Sequence, residues 1–369
     1  IDPDADDYGI WVSAINLASM RSFQHMGVAQ TLIEQRASGY RRMQIWDANS
    51  DAAIRFDADE LDHEYLGYII ENDLIINNLH QVIENRDNIV FFKAALRSLN
   101  HEGDGILIDL GEQFLEAGLL IGADGQHSEV RRLAGIPSES GLFNQSALVC
   151  RIRTELPHQQ TAYQCFHHHG PIAYLPLADG TSSIVWSCDA DKARALSALD
   201  EQSFAVEVEN AMQSRLGSVK VAGPRGAFEL AQQHALRYIA PPIALVGDAA
   251  HRTHPLAGLG ANLGLQDAAV LAEQVENALQ KRHSVFGTAT LRRYERIRKH
   301  QNSLVLNAMQ AFKSGFASSS PLITSLRARA MNGVDRIWPV KTLIGQLATG
   351  DVGDLPRICR PGTGLENVL

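Results

Sequence analysis

The sequence predicts an α/β fold in which a parallel-stranded part is interleaved with an antiparallel sheet and followed by a helical C-terminal region. Three observations predict it. Two apolar runs, residues 119–121 (LLI) and 243–246 (IALV), each lead into a Gly/Asp turn, as buried parallel strands do where they deliver a loop to a site. Between them, residues 147–188 fall into short alternating runs (ALVCRIRT, TAYQCFHH, PIAYLPL, SSIVWSC) separated by turn residues, the pattern of antiparallel strands. From Gly260 onward apolar residues recur at helical spacing almost to the end of the chain.

Taken in order, the acidic DPDADD stretch reads as a loop, and residues 12–27 (VSAINLASMRSFQHMG) read as a helix closing on Gly27. Residues 43–56 predict a hairpin around the polar turn 47–51, and residues 71–84 return to helical periodicity. Between 89 and 121 the runs IVFF, ILIDL and AGLLIG predict short strands. Residues 199–216 read as an acidic helix and 228–238 as a transitional segment. Helices are expected over 260–279 and 290–316, the second carrying the basic cluster RRYERIRKH, with at most a short break at 317–321 (ASSSP). No internal repeat or low-complexity tract interrupts the pattern.

Composition narrows the function classes. The 369 residues, 45% hydrophobic, suffice for a sizeable core and two domains. A net charge of -9 with scattered Lys and Arg gives no basic face for nucleic acid. Four cysteines without CxxC pairing fit free thiols in a reducing compartment, hence the cytoplasm. No apolar run approaches the roughly 20 residues that span a bilayer, and no signal-peptide series is present, so membrane contact is expected to be peripheral at most. His167, His168 and His169 alternate across a strand and lack a partner ligand, so no metal site is expected. Neither a hydrolase elbow nor a P-loop occurs.

The densest chemistry lies at residues 244–264, ALVGDAAHRTHPLAGLGANLG. Gly247 permits close backbone approach to a ligand, and Asp248 at a strand end can accept hydrogen bonds from sugar-like hydroxyls. Pro255 stiffens the next turn. Gly258 and Gly260, with Leu259 and Ala261 between and after them, open a helix whose free N–H groups and positive dipole end favour an anionic group, and Asn262 adds a polar contact. A single Gly-Asp is usually only a turn; seven such features in order within about twenty residues point to a ligand site. Residues 119–131 (LLIGADGQHSEVR) repeat the theme, with Asp124 and Gly125 as contact positions and Arg131 as a partner for Asp124 or a phosphate.

The run GDAAHRTHPLAGLGANLGLQDA resembles the flavin-ribityl motif of class A flavoprotein monooxygenases, the para-hydroxybenzoate hydroxylase-like fold, and the Asp124-Gly125 segment resembles that family's DG fingerprint. LRRYERIRKH, LNAMQAFKSGF, VSAINLAS, GYIIEN and PIAYLPLADGTSSIVWS resemble the ubiquinone-biosynthesis hydroxylases of the UbiH/UbiI/VisC group over most of the chain. The resemblance implies an FAD-binding nucleotide-type domain from residues 1–38, 67–139 and 239–283, a substrate domain from 39–66 and 140–238, and a helical region from 284–369. The family's G-x-G-x-x-G unit for the FAD pyrophosphate is not found in this sequence, and Trp11 stands where relatives place an FAD-reaching arginine, which implies weakened FAD affinity for a chain beginning at Ile1.

The function implied is hydroxylation of an aromatic ring with FAD, NAD(P)H and dioxygen, the oxygen being activated on the flavin C4a carbon. The substrate implied is a polyprenylated phenol, a small lipophilic aromatic, with a ubiquinone-biosynthesis protein complex as partner and the inner membrane as a peripheral location. Tyr163, Phe166, Tyr174, Leu175 and Trp186 are the expected apolar wall, although core packing would explain the same aromatics. Another phenol hydroxylase or halogenase, or a flavin-less scaffold of a biosynthetic complex, remains open at this point. No acid or base residue is singled out.

Overall fold

The alternating runs become one large sheet in the computed structural model, which describes residues 9–103, 105–252, 258–317, 321–351 and 353–362. Among these, eight strands follow the order His251–Arg252, Val219–Ala235, Ser138–Thr154, Ser182–Asp189, Gly170–Pro176, Thr161–His167, Arg42–Asp47 and Ala53–Asp57. Neighbours run antiparallel except at one join, where Thr161–His167 lies parallel to Arg42–Asp47. Side chains of period two divide the sheet into two faces. One face packs Leu148, Cys150, Tyr163, Tyr174 and Trp186 against Ala193 and Leu196 from the helix Ala190–Ala198 and against Phe204 and Val208 from the helix Glu201–Ala211. The ladder of Ser138–Thr154 with Val219–Ala235 shifts register between Leu142 and Gln145 and again between Cys150 and Ile152.

The segment read as transitional at 228–238 is thus mostly the end of a 17-residue strand. The GPRG sequence at 223–226 breaks the alternation and hides it. The predicted hairpin at 43–56 forms, as Arg42–Asp47 paired with Ala53–Asp57. Residues 12–16 are a strand rather than the start of a helix. Val12–Asn16 pairs with Gly67–Glu71, which also pairs with Ser38–Tyr40, and the helix begins only at Leu17. The reason is local: the Asn16 side chain accepts from the Ser19 N–H at 2.9 Å and caps Leu17–His25, so helical periodicity starts one residue after the cap.

Leu120–Gly122 and Ile243–Leu245 do form the expected parallel pair. The first is only partly buried, with Ile121 46% exposed. The IVFF run carries no strand, and Val90 and Phe91 face solvent, because no neighbouring strand pairs with it among the described residues. The C-terminal part is helical as expected, with Leu259–Gln280, Thr288–Ala317, Pro321–Arg336 and Trp338–Thr349. No helix among the described residues is long and apolar enough to cross a membrane. The four cysteines are unpaired.

Candidate active site

Ile243–Leu245 ends in a turn at Gly247, whose φ of +59° is open to glycine at little cost. Gly264 on the Leu259–Gln280 helix lies directly behind: a Cβ on Gly264 would come within 3.1 Å of the Gly247 Cα. The two glycines let strand end and helix touch. The turn then projects Asp248 into a cavity of about 410 Å³. Asp248 makes no hydrogen bond or ion pair with another described residue. Its side chain is exposed within the cavity, and partial desolvation by the cavity walls raises its pKa against the opposing pull of His251 and Arg252.

Opposite the turn, the cavity is closed by the second face of the large sheet. Ala147, Val149, Ala162, Gln164, Ala173, Leu175, Val185 and Ser187 line it, mostly small or apolar. Trp11, Phe228 and Arg252 form part of the rim, with Trp11 and Phe228 ring centroids 4.0 Å apart. Another part of the wall comes from Val12, Ser13 and Ala14 of the strand Val12–Asn16 and from Gly258, Gly260 and Ala261 at the start of the Leu259–Gln280 helix. Gly258, at φ +62°, is the N-cap and supplies no side-chain acceptor, so first-turn N–H groups are left without a side-chain cap.

Parity along the strands corrects the expected aromatic wall. Leu175 lines the cavity. Tyr163, Tyr174 and Trp186 have the opposite parity and point into the core against the two helices. Phe166 packs on Phe316, centroids 4.2 Å apart, in a separate apolar cluster. Choosing residues by size selected the core face, since large side chains fill volume and small ones leave it.

The motif residues divide in the same way. Asp248, Gly258, Gly260 and Ala261 meet at the cavity, while Pro255 lies outside the described residues. Leu259 is partly buried and is not among the lining residues. Asn262 is turned inward: its amide donates to the Ala14 and Gly258 carbonyls at 2.7 and 3.1 Å and accepts from the Asn16 N–H at 3.0 Å. This buried side chain stitches helix to strand. Asp124 accepts from the N–H groups of Glu129 and Val130 and from the Ser128 hydroxyl, capping the short helix that follows Gly125. Arg131 forms no ion pair with Asp124; it donates to the carbonyls of Ala249 and Gln126 at 2.7 and 2.8 Å. The second Gly/Asp loop therefore braces the first.

Beneath the turn lies a network that the sequence reading missed. Asp267 is fully buried and accepts from the Gly247 N–H at 3.0 Å, His251 Nε2 at 2.6 Å, Arg298 Nε at 2.6 Å and Asn302 Nδ2 at 3.1 Å. Burial alone would raise its pKa; the His251 and Arg298 contacts outweigh burial and hold it below the usual carboxylate range. Arg298 belongs to the basic RRYERIRKH helix, yet it is 1% exposed and also bonds the Leu263 carbonyl and Asn302. The signal was present as a charged residue at a core position: Leu291, Tyr294, Arg298, Asn302 and Leu306 form one buried stripe. As for the histidine run, His167 meets the Ala211 carbonyl and His169 meets Asp189, and no metal-binding group occurs among the described residues.

Comparison with known proteins gives these features a context. The FAD binding domain family matches residues 13–308. The 3-demethoxyubiquinol 3-hydroxylase of Escherichia coli is 33% identical over 92% of this chain and 87% of its own length. The mitochondrial ubiquinone biosynthesis monooxygenase COQ6 of Xenopus tropicalis is 34% identical over 92% of this chain and 82% of its own. Among solved structures, p-nitrophenol 4-monooxygenase PnpA from Pseudomonas putida superposes with a TM-score of 0.73 at 16% identity, covering 90% of this chain and 86% of that one. HpxO from Klebsiella pneumoniae, complexed with FAD and uric acid, gives 0.66 at 16% identity, covering 90% and 87%. Both share this chain's fold.

Proposed function

The chain belongs to the FAD binding domain family of flavoprotein monooxygenases, and from that premise we propose that it hydroxylates the ring of a polyprenylated phenol in ubiquinone biosynthesis, using NAD(P)H and dioxygen. The observation that carries the proposal is the cavity itself. It is floored by small and apolar residues of the sheet and faced by an aspartate with no partner among the described residues and by an uncapped helix start. These residues suit FAD: Asp248 can accept hydrogen bonds from ribityl hydroxyls, and the Gly258–Ala261 backbone leaves room for a flat ring. Bound FAD, reduced by NAD(P)H, supplies the dioxygen activation that no side chain provides.

The chain's own part is binding, orientation and exclusion of water. The positive end of the 22-residue helix would favour negative charge on a cofactor held at Gly258–Ala261. Ala147, Val149, Ala173 and Val185 offer an apolar surface to the phenol and its tail and keep the reacting region dry. Relatives named for ubiquinone biosynthesis, at 33% and 34% identity, support the lipophilic substrate. The test supplies the purified protein with FAD, NAD(P)H, isotopically labelled dioxygen and a prenylated phenol, followed by mass analysis. One labelled oxygen in the ring is expected. Peroxide without a hydroxylated product rejects the substrate, and failure to take up FAD rejects the cofactor assignment.

A further inference from the structure

We propose that Asp267 and Arg298 are positioning residues for the cofactor side of the cavity: their buried ion pair fixes the Gly247–Asp248 turn and sets the electrostatic potential at a bound flavin. The inference rests on the FAD reading and deepens it. Neither residue lines the cavity, so each acts through the turn.

The geometry leaves the turn little freedom. Its N–H is held by Asp267 at 3.0 Å, its Cα rests against Gly264, and the carbonyl of Ala249 is held by Arg131. The same Asp267 oxygen that takes the Gly247 N–H also takes His251 Nε2, so residues on both sides of Asp248 are fixed by one carboxylate. Its other oxygen takes Arg298 and Asn302, which in turn meets the Tyr238 hydroxyl at 3.3 Å. Asp248 thus faces the cavity because the residues around it are anchored.

The network also carries charge into a dry region. Asp267 and Arg298 are 0% and 1% exposed, so water screens them weakly. Paired, they contribute little net charge near the site. Removing one leaves the charge of the other, and the two removals leave opposite signs. A residual positive charge favours an anionic reduced flavin, and a residual negative charge disfavours it.

The test compares Asp267→Asn, Arg298→Met and the double variant with the parent protein. Single removal can destabilise the fold because it strands a buried charge, whereas removing both partners need not, so the double variant keeps the comparison interpretable. In FAD-loaded protein, the reduction potential should rise in Asp267→Asn, fall in Arg298→Met and return toward the parent in the double variant. FAD dissociation constants should rise about tenfold in Asp267→Asn, because the turn that presents Asp248 loses its charged anchor. Without flavin, hydrogen exchange at the Gly247 amide should accelerate in Asp267→Asn while the Ser182–Asp189 strand stays protected. Potentials that shift in the same direction in both single variants overturn the electrostatic role, and unchanged exchange at Gly247 overturns the positioning role. A parent protein that takes up no FAD defeats the cofactor reading instead, and the exchange measurement still decides the positioning.

Discussion

The two faces of the large sheet are made by the same strands and do opposite work. On one face Tyr163, Tyr174 and Trp186 are buried against helices; on the other Ala162, Ala173, Val185 and Ser187 stand beside open space. Each pair differs by a single step along a strand, and that step decides whether a side chain supports the fold or the site. A binding face is recognised here by what it lacks in bulk.

The largest effect should come from the packed face. Trp186→Ala should cost about 3–5 kcal/mol in urea unfolding, because the hole it leaves opens in a close-packed core. An equal loss of catalytic turnover with no loss of stability would mean that the faces have been assigned the wrong way round. Next comes Ala173→Phe on the open face. Its unfolding free energy should stay within about 1 kcal/mol of the parent, since the ring enters existing space, while turnover of a prenylated phenol should fall by at least about tenfold. Retained turnover would show that the substrate lies elsewhere.

The smallest stability change, and the one with a distinct sign, is expected for Asp248→Asn. Folding raises the carboxyl pKa of Asp248, so protonation is easier in the folded state and the charged form carries a folding penalty. That penalty is present above the folded pKa and vanishes once pH falls below the ordinary value of 3.8. Asp248→Asn should therefore raise the melting temperature slightly at pH 7, lose that advantage near pH 3, and weaken FAD binding. A variant that is both less stable at pH 7 and equally tight for FAD would remove Asp248 from the site.

The fold class was legible because strands and helices differ in period, and because a Gly/Asp turn after an apolar run marks a strand end. The strand at 12–16 was not, because its apolar residues continue into the helix that Asn16 caps and one period ran into the next. At the site, Asp248 and the glycines at 258 and 260 could be named from the motif, since backbone demands leave a signature in sequence. Their supports could not be named so directly. Asp124 and Asp248 look alike as letters beside a glycine, yet one spends its carboxylate capping a helix and the other keeps it free. Asp267 meets Arg298 only when two helices pack, so their partnership has no local trace beyond a charge on an apolar stripe.

The parallel join between Arg42–Asp47 and Thr161–His167 has a consequence for how the chain assembles. Gln44 must wait for Tyr163, its partner far along the sequence, before the edge hairpin can dock. Closing so long a loop is entropically costly, so this contact should form late and limit the folding rate. On a ribosome the hairpin would emerge early and remain an unpaired edge until the sheet arrives, the interval in which such a chain is most exposed to aggregation.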